Sequence, residues 1–364
     1  MMLLFFLAGT VLVNTFFYLI FAKISYATIS EKKFSGDFPV SVIVCAKNEA
    51  HNLKKNIPLL LQQDYPNFEI ILINDASLDD TMDVIEALAA TDPRIHTVNV
   101  ENNEAFWSNK KYSLTLGIKR AKHERLLFTD ADCQPASKQW LRLMTQQLSD
   151  EKQLVLGYGA YQKTKGWLNK LIRFETLMTA IQYFSYAKAG MPYMGVGRNL
   201  AYTRQLFYEN RGFMSHMQIA SGDDDLFVNE AATKSTVALC LQRDAFTLSQ
   251  PKETFKDWFY QKRRHVTTSK YYKTKHQTYL GLYFLGNFFF WVAAILSLVF
   301  VDWKIPLALI TFRLILQYLF LGKAAKRFQE KDLAPFFPVL EVFLVCLQLT
   351  IFSSNLISKP RRWK

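Results

Sequence analysis

The sequence predicts a doubly wound α/β domain that is joined to a membrane by one apolar helix before it and two to three apolar helices after it. Three observations lead to this prediction. Apolar runs with the length of buried strands occur in the first half, amphipathic helical patterns lie between them, and long uncharged segments lie near both ends of the chain. Strands that alternate with helices are typical of βαβ units and a parallel sheet.

The membrane prediction comes from composition. Half of the 364 residues are hydrophobic and 15% are aromatic, a high share for a soluble enzyme. Residues 1–22 and 279–301 contain no charged side chain and no histidine. Each is long enough for a helix across ~30 Å of hydrocarbon. We therefore expect a transmembrane anchor at residues 1–22.

Two further apolar segments, 305–321 and 335–357, each carry a single charge, Arg313 and Glu341 respectively. We expect residues 279–357 to form the C-terminal transmembrane helices, with these two charges paired or at a helix interface. A basic tail, 358–364, follows. Four crossings would place this tail outside, against the positive-inside tendency, whereas a hairpin at 335–357 would return it to the cytoplasm. The sequence leaves both topologies open.

The remaining segment, 23–278, is predicted to be a cytoplasmic domain of an inner or plasma membrane protein. A cleaved secretory signal is the alternative for residues 1–22, but they lack a basic leading region and their apolar run exceeds the usual ~7–15 residues. Lysines follow this segment and precede the next, which favours a cytoplasmic location. Four cysteines without paired spacing fit a reducing compartment.

Strands and helices alternate in the first half of this domain. The nearly unbroken apolar runs suit strands that are covered on both faces. The predicted strands are 38–45, 68–74, 94–100 and 124–129, and the predicted helices are 49–63 and 79–90. Ligands of such sheets bind beyond the carboxyl ends of the strands. Asp75 and Asp130 each follow a predicted strand directly, so we expect them at the binding edge.

Two later stretches, about 166–189 and 254–272, are amphipathic and mix aromatic with basic side chains. Each is predicted to be a helix, either a buried core helix or a helix in the membrane interface. The interface is favoured for 254–272. The net charge of +13 indicates anionic partners, and because the basic residues cluster next to apolar segments, we expect a bilayer and no nucleic acid.

Three acidic clusters are candidates for chemistry. Asp130 and Asp132 can present oxygens to a hard divalent cation, although a solvated turn would show the same spacing. Asp75 can accept hydrogen bonds from a nucleoside, or it can simply end a strand. Asp223–Asp225 can cap a helix, or one of them can take a proton from an attacking hydroxyl.

Basic and turn residues complete the candidate set. Ser77, Asp79 and Asp80 are expected to cap the helix that follows them. In the segment Gln261–His265, Arg263 and Arg264 offer guanidinium groups that can bind phosphate oxygens. We interpret Arg263 as part of a basic patch at the membrane surface and Arg264 as a phosphate ligand.

Taken in chain order, the candidate residues within 38–275 resemble the motifs of the family 2 glycosyltransferases. The resemblance is to the membrane-integrated branch in particular, which includes the cellulose, hyaluronan and ceramide-glucosyl synthases. Asn48 and Glu49 are similar to the family's opening pair. Five further stretches resemble the family's later motifs: the turn at Asp75, the helix start at Lys110, the triplet Asp130–Asp132, the segment before Leu226 and the segment Gln261–His265. Gly222 and His265 depart from the family pattern, which disfavours polymer synthesis.

The resemblance implies a GT-A type nucleotide-sugar-binding domain and an inverting transfer from a nucleotide-diphosphate sugar, most simply UDP-linked, to a membrane lipid or lipid-linked glycan. The implied donor-binding residues are Asn48, Glu49, Asp75, Lys110 and Asp130. Asp132 is the implied ligand of Mg²⁺ or Mn²⁺. The implied catalytic residues are Asp223 as base, with Asp224 as the alternative, and Gln261 and Arg264. A processive polysaccharide synthase and a non-enzymatic transporter or scaffold remain competing hypotheses.

Overall fold

The structure, a computed structural model, describes residues 1–28, 38–101, 110–219 and 221–358. Its strands in chain order are β1 Val40–Ala46, β2 Phe68–Asp75, β3 Ile95–Val100, β4 Arg125–Asp130, β5 Cys133–Pro135, β6 Leu154–Leu156, β7 Gly159–Tyr161, β8 Leu200–Thr203, β9 Val237–Leu239 and β10 Thr247–Ser249. Its α-helices are α1 Met2–Ser25, α2 Ala50–Leu61, α3 Thr81–Thr91, α4 Lys110–Arg120, α5 Trp140–Thr145, α6 Trp167–Lys188, α7 Arg204–Glu209, α8 Asp225–Ala231, α9 Phe255–Val266, α10 Thr274–Phe300, α11 Lys304–Arg327 and α12 Phe337–Ile357.

The chain divides into two compact units. Residues 38–163 and 192–252, as far as they are described, form the α/β unit, and residues 1–28, 164–191 and 253–358 form the helical unit. The helical unit thus takes α6 from the middle of the chain together with α1 and α9–α12.

A mixed seven-stranded sheet is the centre of the α/β unit, in the order β3-β2-β1-β4-β8-β6-β9. The strands β1, β2, β3 and β4 are parallel, which confirms the predicted doubly wound half. β8 runs antiparallel to both β4 and β6. A smaller sheet has the order β5-β10-β7.

The parallel half folds as predicted because its strands are apolar on both faces. Every residue of β2 is buried, as are six of the seven residues of β1. Helix α4 packs closely on this layer at Gly117, where an added Cβ would lie 2.3 Å from Cδ1 of Ile73. In register, Cys45 of β1 lies opposite Asp130 of β4, so the strand ends form a common edge.

The helical unit contains four helices that are long and apolar enough to cross a membrane: Met2–Ser25, Thr274–Phe300, Lys304–Arg327 and Lys331–Ile357. The last of these comprises a 3₁₀ turn, Lys331–Phe336, and α12, which is one continuous helix. The alternative of a hairpin at 335–357 is therefore wrong. Apart from residue 358, the basic tail lies outside the described residues.

The two predicted amphipathic helices exist as α6 and α9, the latter followed by a 3₁₀ turn at Ser269–Tyr271. Their location at a membrane interface, the domain boundaries at residues 22, 278 and 357, and the cytoplasmic orientation stay predictions. The charges of the apolar segments pair as expected. Arg313 of α11 donates a hydrogen bond of 2.7 Å to Glu341 of α12, and both side chains are buried.

Candidate active site

A lysine between two carboxylates is the centre of the candidate site. Nζ of Lys110 lies 2.7 Å from Oδ1 of Asp130 and 3.1 Å from Oδ2 of Asp223. These side chains line a pocket at the carboxyl ends of β1 and β4, together with Cys45 and Asp224. The fold thus gathers three sequence-predicted residues that are up to 113 positions apart (223 − 110).

Lys110 also sets the charge state of Asp223. Burial alone would raise the pKa of this carboxyl, but the charge and hydrogen bond of Lys110 outweigh burial and hold the pKa below its ordinary value. Asp223 is therefore ionised at neutral pH and able to accept a proton.

Its neighbour Asp224 has a different environment. One carboxylate oxygen accepts the backbone N–H of Gly197 at 2.7 Å, and the other accepts the backbone N–H of Asp225 at 2.8 Å. Asp224 is the N-cap of α8, so the helix-cap interpretation holds for this member of the acidic cluster. Burial, then the charges of Asp223 and Asp225, raise its pKa to about 7.

The segment that leads to Asp223 is held by Lys111. Its ammonium group donates to the backbone carbonyls of His216 at 2.7 Å, Ile219 at 2.9 Å and Ser221 at 2.8 Å. The side chain is buried. Two consecutive lysines in the first turn of a helix oppose the helix dipole, and this was the sequence signal that could have identified Lys111.

Asp130 and Asp132 form the candidate metal centre. Ligand atoms of Asp130, Asp132 and Cys133 lie within 4.8 Å of one another. Burial and the charge of Asp130 raise the pKa of Asp132, as expected of two carboxylates that share a site. The residues therefore fit a divalent cation, which would relieve this repulsion.

The chemistry of Cys133 indicates which kind of cation fits. Burial and the two carboxylates raise the pKa of the thiol, so it stays protonated. It lies 3.3 Å from Oδ1 of Asp132 and 3.0 Å from Oγ of Ser249. Two of the three candidate ligands are carboxylates, which suit Mg²⁺ or Mn²⁺ better than a thiophilic metal.

Arg198 is a further cation that the sequence interpretation missed. Its guanidinium carbon lies 4.5 Å from the ring centroid of Tyr161. Burial opposes its charge, but Tyr161, Cys133, Asp132 and Asp130 together raise its pKa. It stays charged and offsets part of the negative potential.

The predicted donor-side residues surround the turn after β2. Asp75 is buried, accepts a hydrogen bond from Ser113 and lies 3.9 Å from Nζ of Lys47. The side chain of Asn48, which has a positive φ of 56°, accepts the backbone N–H of Leu78 at 2.8 Å. Asn48 thus joins two loops of the site edge.

The carboxyl group of Glu49 is influenced by the charges of the candidate metal centre, Asp130 and Asp132. Burial raises its pKa, and Asp132 and Asp130 act in the same direction, while a hydrogen bond from Asn52 opposes them. In the turn after β2, the side chain of Asp79 accepts the backbone N–H of Thr81 at 3.1 Å, which agrees with the predicted cap. Asp80 is the N-cap residue by position, without a side-chain cap bond.

Gln261 and Arg264 lie on α9 in the helical unit. Their assignment to the site therefore stays a prediction. Arg263, interpreted as a surface cation, instead has a largely buried guanidinium that binds the end of α12, with Nε 2.9 Å from Oδ1 of Asn355. The surface-patch interpretation of Arg263 is wrong.

Comparison with known proteins finds a family whose model matches much of the α/β unit. The family model described as glycosyl transferase family 2 matches residues 41–211. A 79-residue stretch is 38% identical to an uncharacterized glycosyltransferase of Haemophilus influenzae, covering 22% of this chain and 23% of the relative. A 109-residue stretch is 32% identical to a 4,4'-diaponeurosporenoate glycosyltransferase of Staphylococcus haemolyticus, covering 29% of this chain and 28% of the relative. These matches span less than a third of either relative.

Among solved structures, the chain is similar to a mannosyltransferase from Pyrobaculum calidifontis in complex with GDP-Man and Mn²⁺. The TM-score is 0.59 at 17% identity, over 94% of this chain and 97% of that one. This similarity shows a GT-A-like α/β fold. The family match covers strands β1–β4 and the acidic turn that follows β4, and the α/β unit is therefore similar to glycosyl transferase family 2 over that stretch.

Proposed function

We propose that this chain transfers a sugar from a nucleotide-diphosphate sugar to a hydroxyl group of a membrane lipid or lipid-linked glycan, with inversion at the anomeric carbon. The observation that carries the proposal is the arrangement of Lys110 between Asp130 and Asp223, beside Asp132, at the strand ends of a family 2 domain. It combines a candidate cation site with an ionised carboxylate.

The donor would bind over the carboxyl ends of the parallel strands. Asp75 and Lys110 would contact the nucleoside and Asp130 the ribose or donor sugar, while Asn48 and Glu49 shape the edge of the site. A UDP-linked donor is our first expectation. The fold neighbour binds GDP-Man, so a GDP-linked donor is the second to test.

Asp132, with Asp130 beside it, would hold Mg²⁺ or Mn²⁺. When bound, the cation supplies positive charge that stabilises the departing diphosphate. Arg264 would bind diphosphate oxygens, and we propose Gln261 as a further active-site residue on the same helix. Both assignments rest on the resemblance of the segment Gln261–His265 to the family motif.

Asp223 would act as the base. The acceptor oxygen forms a bond to C1 of the sugar while its proton passes to the carboxylate of Asp223. The bond from C1 to the diphosphate breaks, and the leaving group keeps the electron pair. Because attack comes from the face opposite the diphosphate, the anomeric centre is inverted. The low pKa that Lys110 imposes on Asp223 keeps the base ionised at neutral pH.

The four apolar helices support the proposed acceptor class. A catalytic unit joined to membrane helices, facing the cytoplasm, has ready access to lipid head groups. We therefore propose a single-sugar transfer to a lipid rather than to a soluble acceptor.

The test is transfer of radiolabelled sugar by the purified full-length protein in liposomes of native lipids, with UDP- and GDP-linked donors, with Mn²⁺ or with EDTA. Asp223→Asn is expected to lower the transfer rate by roughly 10²–10⁴-fold, the range for losing an acid–base group. Asp132→Ala is expected to lower the rate as well, because the ligand of the cation is lost. Asp80→Asn is the matched control, since its exposed carboxylate makes no side-chain cap bond. NMR of the product gives the anomeric configuration.

Transfer by Asp132→Ala and Asp223→Asn at the wild-type rate would refute the proposed site. Loss in Asp224→Asn with full activity in Asp223→Asn would reassign the base. Products of many sugars from one binding event would identify a polysaccharide synthase, and a retained anomeric configuration would refute direct displacement.

A further inference from the structure

The position of α6 in the chain fixes which side of a membrane its ends occupy. It is preceded by β7 and followed by β8, and both strands belong to the α/β unit. A crossing by α6 would separate two strands of one compact unit by a bilayer. Both ends of α6 must therefore lie on the side that carries the α/β unit.

Helix α9 contacts α6 through an ion pair. It begins at Phe255, shortly after β10 ends at Ser249, so its first residue is on the same side. Lys262, near its other end, forms an ion pair with Glu175 of α6. Because α6 does not cross, this ion pair keeps the far end of α9 on the same side of the membrane as α6.

The beginning of α12 is attached to α6. The guanidinium of Arg173 in α6 binds Glu330 and, at 2.7 Å, Asp332, both in the segment just before α12. The side chains of Arg173 and Glu330 are 3% and 2% exposed, so this ion pair is a fixed internal contact. One turn later, the ring centroids of Phe174 and Phe337 lie 5.8 Å apart.

The end of α12 is attached to α9. Arg263 donates to Oδ1 of Asn355 at 2.9 Å, to the backbone carbonyl of Ser354 at 3.1 Å and to Oγ of Ser358 at 3.0 Å. Asn355 donates back to the carbonyl of Arg263 at 3.1 Å. The last turn of α12, where backbone carbonyls lack helical partners, is thus held by a cation of α9.

These attachments conflict with a fourth crossing. A helix of 21 residues is ~31 Å long, about the thickness of the hydrocarbon core, so a crossing would place its two ends on opposite sides. Both ends of α12 instead contact α6 and α9, which do not cross. We infer that α12 does not cross the bilayer but lies within the leaflet on the side of the α/β unit.

The surface of α12 is consistent with insertion into a leaflet. Its outward side chains include Val339, Leu349 and Phe352, which are 64%, 44% and 44% exposed. Its inward Glu341 binds Arg313 and the indole N–H of Trp291. The apolar outer face would contact acyl chains of one monolayer.

Topology follows from this placement. α1, α10 and α11 remain as three crossings, and the C-terminal end of α12 lies on the side of the α/β unit. The basic residues that follow α12 in the sequence, Lys359, Arg361, Arg362 and Lys364, would then obey the positive-inside tendency if that side is the cytoplasm. The inference does not depend on sugar transfer.

The test uses the full chain in sealed membrane vesicles of both orientations and a membrane-impermeant maleimide. Lys364→Cys reports the C-terminus, Asp150→Cys reports an exposed turn of the α/β unit, and Asp302→Cys reports the turn between α10 and α11. The wild-type protein, with its four native cysteines, gives the background.

We expect Lys364→Cys to be modified in the same vesicle orientation as Asp150→Cys and to lose modification in the orientation that exposes Asp302→Cys. Modification together with Asp302→Cys would establish four crossings and overturn the inference. The inference would also be overturned if Lys364→Cys were modified in both vesicle orientations while Asp150→Cys and Asp302→Cys were each modified in only one. The tail substitution leaves the sequence of α12 unchanged, and thermal unfolding of each variant beside the wild type identifies any variant that fails to fold.

Discussion

The protonation of Asp224, a residue of the candidate site, makes the stability of the fold depend on pH. In the folded chain its pKa is about 7, compared with an ordinary value of 3.8. Between pH 4 and 7 the folded state therefore holds a proton that the unfolded state has lost. The stability that this group contributes is fully present below about pH 4 and is lost progressively as pH rises from about 4 to about 7.

Asp224→Asn should remove this dependence. We expect the difference in thermal midpoint between the variant and the wild type to shift in favour of the variant as pH is raised from 5 to 8. The measurement is thermal unfolding in detergent across that range. A difference that does not change with pH would show that Asp224 has an ordinary pKa in the folded protein.

Lys111 is a positioning residue for Asp223, two residues beyond the last carbonyl that it binds. Lys111→Met should destabilise the fold by about 2 kcal/mol or more, since a charged donor to three backbone carbonyls is lost. Lys119→Met, an exposed lysine of the same helix, should change stability by less than about 0.5 kcal/mol. Equal effects in denaturant titrations would contradict the role of Lys111.

At the scale of elements, the contact between α4 and β2 places Lys110 and Lys111 at the strand edge. Glycine at position 117 permits this contact, since an added Cβ would lie 2.3 Å from Cδ1 and 3.0 Å from Cγ1 of Ile73. An added methyl group in a packed core costs about 1–3 kcal/mol.

Gly117→Ala is therefore expected to be less stable than Gly322→Ala by about that amount. Position 322 is also helical, but it has nothing within 4 Å of the added Cβ. Combining Gly117→Ala with Ile73→Val should restore part of the loss, because the clashing Cδ1 is removed. No recovery in thermal midpoint would mean that the contact with Ile73 is not the cause.

Elements with a strong apolar pattern were predicted from sequence to within two residues at most of their boundaries. β1–β4 are the examples, because unbroken apolar runs between helical patterns have few other interpretations. β6, β7, β9 and β10 have three residues each and show no period. The antiparallel position of β8 between β4 and β6 depends on long-range pairing, which local patterns do not reveal.

At the scale of the whole molecule, a buried polar cluster joins four helices of the helical unit. Nη2 of Arg313 binds Oδ1 of Asn14, Oδ1 of Asn287 and Oε1 of Glu341 at 3.1, 2.8 and 2.7 Å. Breaking a buried ion pair by removing one partner costs about 3–5 kcal/mol, since the other charge stays buried without its counter-ion.

Arg313→Met should accordingly lower the thermal midpoint and the yield of folded protein in detergent. The double variant Arg313→Met with Glu341→Gln should be more stable than Arg313→Met alone, since no uncompensated charge remains. A double variant as unstable as the sum of the two single variants would show that the pair has no coupling.

The sequence by itself determined the parallel half of the sheet, the presence of four long apolar helices and the order of the acidic motifs, because these depend on local composition and period. Only the tertiary structure decided that Lys110 lies between Asp130 and Asp223, that Asp224 is a helix cap, and that Arg263 holds the end of α12. The physical reason is that a side chain's role is set by its partners. Those partners are brought together by strand pairing and helix packing across many residues of chain.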